Sequence, residues 1–299
     1  MINQPEYIEL KKKRELGDIL TDTFAFLRSQ FKPFLTTFLK IVGPYLITAL
    51  VCMGFYFSTF ESVINATAYG SQDLSFDSYN PILLFVFLIV FVFSALAAYV
   101  MSQATTLFYL KSYAENNGVA NFEEIRRNVY KKFWSFIGLG ILVGLSVGIG
   151  MMVCCIPGIF LYVPLSISFA IMVFTGRGVT DSFGYSFDLV KDNWWMTFAT
   201  IFVITIIVTI ASYAFQIPVA IYQMANIGFD AYELDAEANV ASFIDPIYIT
   251  LNLIATLAQY LLNVISVTAI ALIYFNLNEV KNNEGTLERI QNLGGNLED

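Results

Sequence analysis

The side chains able to do chemistry are few, and their types narrow the choice at once. Histidine is absent. Its absence removes Ser-His-Asp and Cys-His catalysis, imidazole-ligated metals and imidazole proton relays together. The cysteines Cys52, Cys154 and Cys155 lie in apolar runs with no ligand spacing. They read as small membrane-buried residues, since free cysteine packs like a small hydrophobe. The next candidates are uncharged amides in apolar stretches: Gln103, Gln216, Asn252, Gln259 and Asn263. Gln259 and Asn263 share one helical face, with Asn252 and Thr256 close by. Such a polar seam suits a cavity for a lipid headgroup or a partner helix. It equally suits interhelical hydrogen bonds worth about 0.6–2 kcal/mol each. Arg126, Arg127, Lys131 and Lys132 cluster beside Phe133 and Trp134. Next to apolar spans, anionic lipid headgroups explain that cluster better than nucleic acid does. Gly140, Gly144 and Gly148 recur at every fourth position, a small-xxx-small face that lets another helix approach. No catalytic, cofactor-binding or metal-binding set emerges, and Gly176-Arg177-Gly178 is too short to cradle a phosphate.

The elements that position these residues are membrane helices. Of the 299 residues 57% are hydrophobic and only 13% charged, against about 25% charged in soluble domains. The expected class is an all-α, polytopic membrane protein with six transmembrane helices in three hairpins. The spans fall at about 33–60, 81–110, 135–156, 157–175, 196–223 and 246–275, with a cytoplasmic tail at 276–299. Their cores hold no Asp, Glu, Lys or Arg. Ion-coupled carriers usually keep such groups despite a cost of about 2.5–3.5 kcal/mol each, so a proton-driven transporter is disfavoured. A cytoplasmic amphipathic helix precedes each hairpin, at about 15–32, 121–134 and 179–194. The first carries an apolar stripe of Leu16, Ile19, Leu20, Phe24, Leu27 and Phe31; the second carries Ile125, Val129, Phe133 and Trp134. The central hairpin is expected to turn at Pro157-Gly158. Pro44 is placed near the start of the first span, and Thr21 and Thr180 as helix caps.

Charge sets the orientation. The basic residues precede the first span (Lys11, Lys12, Lys13, Arg14, Arg28, Lys32, Lys40), separate spans two and three (Lys111, Arg126, Arg127, Lys131, Lys132), separate four and five (Arg177, Lys191), or lie in the tail (Lys281, Arg289). The two long loops between spans one and two and between five and six hold none. By the positive-inside rule both termini are cytoplasmic. The same two loops carry Glu61, Asp73, Asp77, Asp230, Glu233, Asp235, Glu237 and Asp245, which accounts for the net charge of −8. These carboxylates lack calcium-loop spacing and read as solvated loop.

Leu27 to Phe31, Val129 to Phe133 and Val190 to Trp194 each run from an apolar residue through mostly polar ones to an aromatic, just before a span. This internal repeat implies three copies of one unit, an amphipathic helix followed by two spans. Three sequence stretches also carry a family resemblance. They are Gly17-Asp18-Ile19-Leu20 through Pro33-Phe34, then Ile156-Pro157-Gly158-Ile159, then Gly178-Val179 through Ser186-Phe187 to Asn193-Trp194-Trp195. The chain resembles the membrane domain of glycerophosphoryl diester phosphodiesterases and related six-span bacterial proteins. Its tail, with Leu287-Glu288-Arg289-Ile290 and Leu293-Gly294, is similar to that of a Bacteroidota branch. The resemblance implies an inner-membrane location without the catalytic barrel. It also implies partners among membrane-protein subunits, such as a MoxR and von Willebrand A-domain system. Three functions follow as expectations: a non-enzymatic scaffold or assembly subunit, a lipid-handling or small-solute permease using the polar seam, and, weakest, an intramembrane enzyme.

Overall fold

The computed structural model describes residues 8–68, 81–116, 118–230, 246–283 and 287, with the side chains of 57–68, 81–84 and 226–230 left out. The described residues are helical and contain no strand. The helices are α1 (Leu16–Ser29), α2 (Phe31–Ala68), α3 (Pro81–Glu115), α4 (Phe122–Val153), α5 (Cys155–Thr175), α6 (Val179–Val190), α7 (Trp194–Asp230) and α8 (Pro246–Asn282), with a 3-10 turn Lys191–Asn193 before α7. Six of them, α2, α3, α4, α5, α7 and α8, are long and apolar enough to cross a membrane. This is a multipass membrane protein.

Several boundaries differ from the sequence reading, each for a local reason. Residues 121–134 are not a separate amphipathic helix but the first turns of α4. Asn121 Oδ1 accepts from the Glu123 and Glu124 amides at 3.1 and 3.4 Å, and no proline follows to end the helix before Val153. The central break falls at Cys154, whose backbone is extended (φ −167°, ψ 148°). Pro157 is the third residue of α5, where its missing N–H leaves no intrahelical bond unmade. Pro44 lies well inside α2, not near its start. Residues 61–68 continue α2 and 224–230 continue α7 instead of forming loops. The rest of both acidic loops, and most of the tail, lie outside the described residues. Thr21 and Thr180 fall within helices; Glu15 and Gly178 occupy the N-cap positions. At the other end of α5, Gly176 adopts φ +73°, a left-handed conformation that glycine takes without strain.

The chain forms two compact units. The first comprises Met1–Ile41, Val100–Ile207 and Asn263–Asp299. Its core includes Phe38, Leu107, Leu110, Ile125, Val129, Phe136, Leu165, Ile171 and Leu272. Here α1 buries one side in the protein. Ile19, Thr23, Phe26 and Gln30 are buried, with the Phe26 ring edge-on to Tyr113 at 5.0 Å. Phe24 and Phe31 are exposed, so only part of the expected stripe faces away from the protein. In α4, Ile125 and Val129 are buried as expected, but Trp134 is exposed.

The second unit comprises Val42–Tyr99 and Val208–Leu262. Small buried residues, Ala49, Cys52, Ala98 and Ala255, line its helix contacts, which suits close packing in lipid. Phe55 stacks on Phe87 at 4.0 Å, and the Tyr260 hydroxyl donates to the Ala95 carbonyl at 3.3 Å. Ile47, Val51, Phe93, Ile210 and Ile221 are exposed, as a lipid-facing surface requires.

Candidate functional site

A buried polar construction in the first unit is built on Arg14. Its side chain is fully buried beside Asp22. Nε donates to Asp22 Oδ2 at 2.8 Å, and Nη1 donates to the Leu10 carbonyl at 2.6 Å. Nη2 donates to the Glu9 carbonyl at 2.5 Å. Lys12 Nζ meets the same Asp22 oxygen at 2.9 Å. The Arg14 amide donates to Asn276 Oδ1 at 2.7 Å, and the Ile8 amide to the Tyr113 hydroxyl at 3.0 Å. A segment that precedes all helices is thus strapped to α1, α3 and α8. Burial pushes the Asp22 carboxyl up, but the bonds and charges of Arg14 and Lys12 outweigh it and leave Asp22 below the usual carboxylate value. Beside the strap is a cleft of about 440 Å³ lined by Lys13, Arg14, Glu15, Asp18, Asn193, Met196, Asn276 and Val280.

A larger cleft, about 670 Å³, lies where α5 meets the start of α7. Ile156, Ile159, Phe160 and Trp195 give it an apolar wall, and Lys191, Asp192 and Asn193 a polar rim. Trp194 stacks on Phe160 at 5.3 Å and on Phe198 at 5.3 Å, and its indole N–H donates to the Phe160 carbonyl at 3.4 Å. The end of α8 is tied to α6: Lys281 Nζ lies 3.3 Å from Asp188 Oδ2, and Asn282 Nδ2 donates to the Tyr185 hydroxyl at 3.3 Å. An apolar floor with a charged rim fits an amphiphile better than a free ion.

The residues singled out from sequence are placed differently from one another. In the second unit Gln216 and Gln259 are exposed, and Asn252 donates to its own helix, to the Tyr248 carbonyl at 3.1 Å. In the first unit Gln103 is half-buried, and Asn263 Oδ1 is buried without a hydrogen-bond partner. None of the five lines either cleft. Arg126, Arg127 and Lys131 are exposed on α4 and Lys132 is half-buried. Gly144 and Gly148 face open space, and a Cβ on Gly140 would meet only Phe169, at 4.0 Å. The close helix approach inside the chain is at Gly150 and Gly158 instead: a Cβ on Gly158 would fall 2.8 Å from the Met151 amide nitrogen. Cys154 and Cys155 are exposed and unpaired, and Cys52 is buried.

Sequence reasoning missed Arg14, Asn276 and the Trp194 cleft. Arg14 closes a run of four basic residues that falls in the basic set before the first span. Asn276, Asn278 and Glu279 fall in the tail expected from residue 276, yet all three are buried at the end of α8. Asn276 and Glu279, three positions apart at the end of an apolar run and so on one helical face, were the available signal. Comparison with family models, curated proteins and solved structures finds no match to this chain.

Proposed function

We propose that this protein is a non-enzymatic scaffold or assembly subunit of an inner-membrane envelope complex. Its termini are cytoplasmic, its partners are lipids and other membrane subunits, and its ancestry is shared with the phosphodiesterase membrane domain it resembles. One observation carries this reading: several polar groups away from the surface hold the chain to itself. Arg14 straps the N-terminal segment down, Asn252 bonds its own helix, and the Tyr109 hydroxyl donates to Gln30 Oε1 at 3.0 Å. The seam amides of the second unit, Gln216 and Gln259, are exposed and line neither cleft. Outward amides and the open face at Gly144 and Gly148 are features a partner helix can use.

Purification from native membranes in mild detergent tests the proposal. A stoichiometric protein partner, lost in Gly144→Leu, is the expected result. A monomer carrying only lipid contradicts it and supports the second reading, lipid handling, which the amphipathic cleft at Trp194 favours.

A further inference from the structure

We propose that α4 and α5 do not cross the bilayer but form a hairpin that enters and leaves it on the basic face, with its tip among the acyl chains of that leaflet. Both helices are long and apolar enough to cross. The contacts at the two ends of α5 point elsewhere. Near its N-terminal end, Phe160 stacks on Trp194 and accepts its indole N–H. Ile156, two residues from the Cys154 break, shares a cleft with Lys191 and Asp192. These charged residues are exposed, and no charge follows them along α7 until Asp230, so the membrane boundary on this face passes close to Trp194. At the C-terminal end of α5, Lys111 Nζ donates to the Val173 carbonyl at 2.9 Å, and Phe174 packs on Phe275 at 4.5 Å. Lys111 belongs to the same basic set as Lys191. Both ends of α5 therefore lie among groups of one face.

A crossing does not fit the distances. A helix rises about 1.5 Å per residue, so Phe160 lies within about 9 Å of Cys154. Were Cys154 at the far side of a core about 30 Å thick, Phe160 would sit about 20 Å from the face where Trp194 starts α7. The two rings are 5.3 Å apart. The inner stretch of α5, Val163 to Val173, is largely buried in protein, as expected of a helix laid across its neighbours.

The tip has a commensurate surface. Met152, Val153 and Ile156 are 89, 77 and 76% exposed, too apolar to face water together. On the same helix Arg126, Arg127 and Lys131 are exposed, with Tyr130 and Trp134 between and beyond them. That pairing of basic side chains with interfacial aromatics fits an anionic leaflet over acyl chains. The number of crossings falls to four, α2, α3, α7 and α8, and remains even.

The native cysteines supply the test. In Cys52→Ala, an environment-sensitive NBD fluorophore is attached at Cys154 and Cys155. In a chain with all three cysteines replaced by alanine, the same fluorophore is attached at Asp192→Cys, and in another at Asp235→Cys. Dithionite, which does not cross the bilayer, is added to right-side-out and to inside-out vesicles. The tip probe and the Asp192→Cys probe are expected to be reduced at least about fivefold faster from the same side. Faster reduction of the tip from the opposite side, or equal rates from both, overturns the proposal. The inference rests on the multipass reading and not on the assembly role. Failure of the multipass reading would show separately, as Asp192→Cys and Asp235→Cys reduced from one side.

Discussion

Arg14 Nε and Asp22 Oδ2 lie 2.8 Å apart, and the arginine side chain is entirely buried while the aspartate retains 18% exposure. The pair anchors a strap whose other ties run to Asn276 and Tyr113. Removing one partner of a buried pair costs more than the pair contributes, because a charge is left uncompensated. Asp22→Ala is expected to destabilise the first unit by about 3 kcal/mol. Thermal unfolding in detergent reads the loss, and proteolysis near Lys11 to Lys13 should accelerate in parallel. An unchanged unfolding temperature would mean that the strap is ornamental.

The same pair fixes a pH dependence. The Asp22 carboxyl is held below its ordinary value of 3.8. Its contribution is therefore complete above that value and is lost as pH falls through the lower, folded value. The difference in stability between the wild type and Asp22→Asn should be constant from pH 7 to about 5 and shrink below about 4. A difference that instead shrinks between pH 5 and 7 would contradict the assignment.

Two glycines on the α4–α5 hairpin separate packing from open surface. A Cβ at Gly158 would lie 2.5 Å from Met151 Cγ and 2.8 Å from its amide nitrogen, whereas one at Gly144 meets nothing within 4 Å. Gly158→Ala should cost about 1–3 kcal/mol by forcing the helices apart. Gly144→Ala should be neutral or stabilising by about 0.5–1 kcal/mol, since alanine restricts the unfolded chain. Equal effects at the two sites would show that the hairpin packs differently.

Tyr109 offers a probe of a buried polar bond without loss of ring packing. Its hydroxyl donates to Gln30 Oε1 at 3.0 Å, and its ring lies 5.1 Å from that of Phe34. Tyr109→Phe keeps the rings and strands the Gln30 acceptor, at an expected cost of about 1–3 kcal/mol. Tyr109→Phe combined with Gln30→Leu should recover part of that loss, read by the same unfolding assay.

What the sequence revealed follows from which signals are local. Five apolar runs separated by charge, the central one broken at Cys154 to Gly158, gave six long helices, because hydropathy and helix length are summed over about 20 residues and tolerate single exceptions. The Cys154 break was displaced by three residues. A proline in the first turn of a helix and a proline in a turn carry the same local signature, and the extended backbone of Cys154, with Pro157 already inside α5, tells them apart. Arg14 was illegible as a buried group because its amide partner, Asn276, is 262 positions away. The amide seam rested on helical spacing alone, and spacing does not say which face meets lipid: Gln259 is exposed whereas Asn263 Oδ1 is buried.

The central claim is that the chain crosses a membrane an even number of times and keeps its basic residues on one side. A membrane-impermeant thiol reagent applied to intact cells and to inside-out vesicles tests it, using single cysteines at Asp235→Cys and Asn283→Cys in a background with the three native cysteines replaced. Labelling of Asp235→Cys only in cells and of Asn283→Cys only in inside-out vesicles is the predicted result. Labelling of both positions from the same side, or of Asn283→Cys in intact cells, would contradict it.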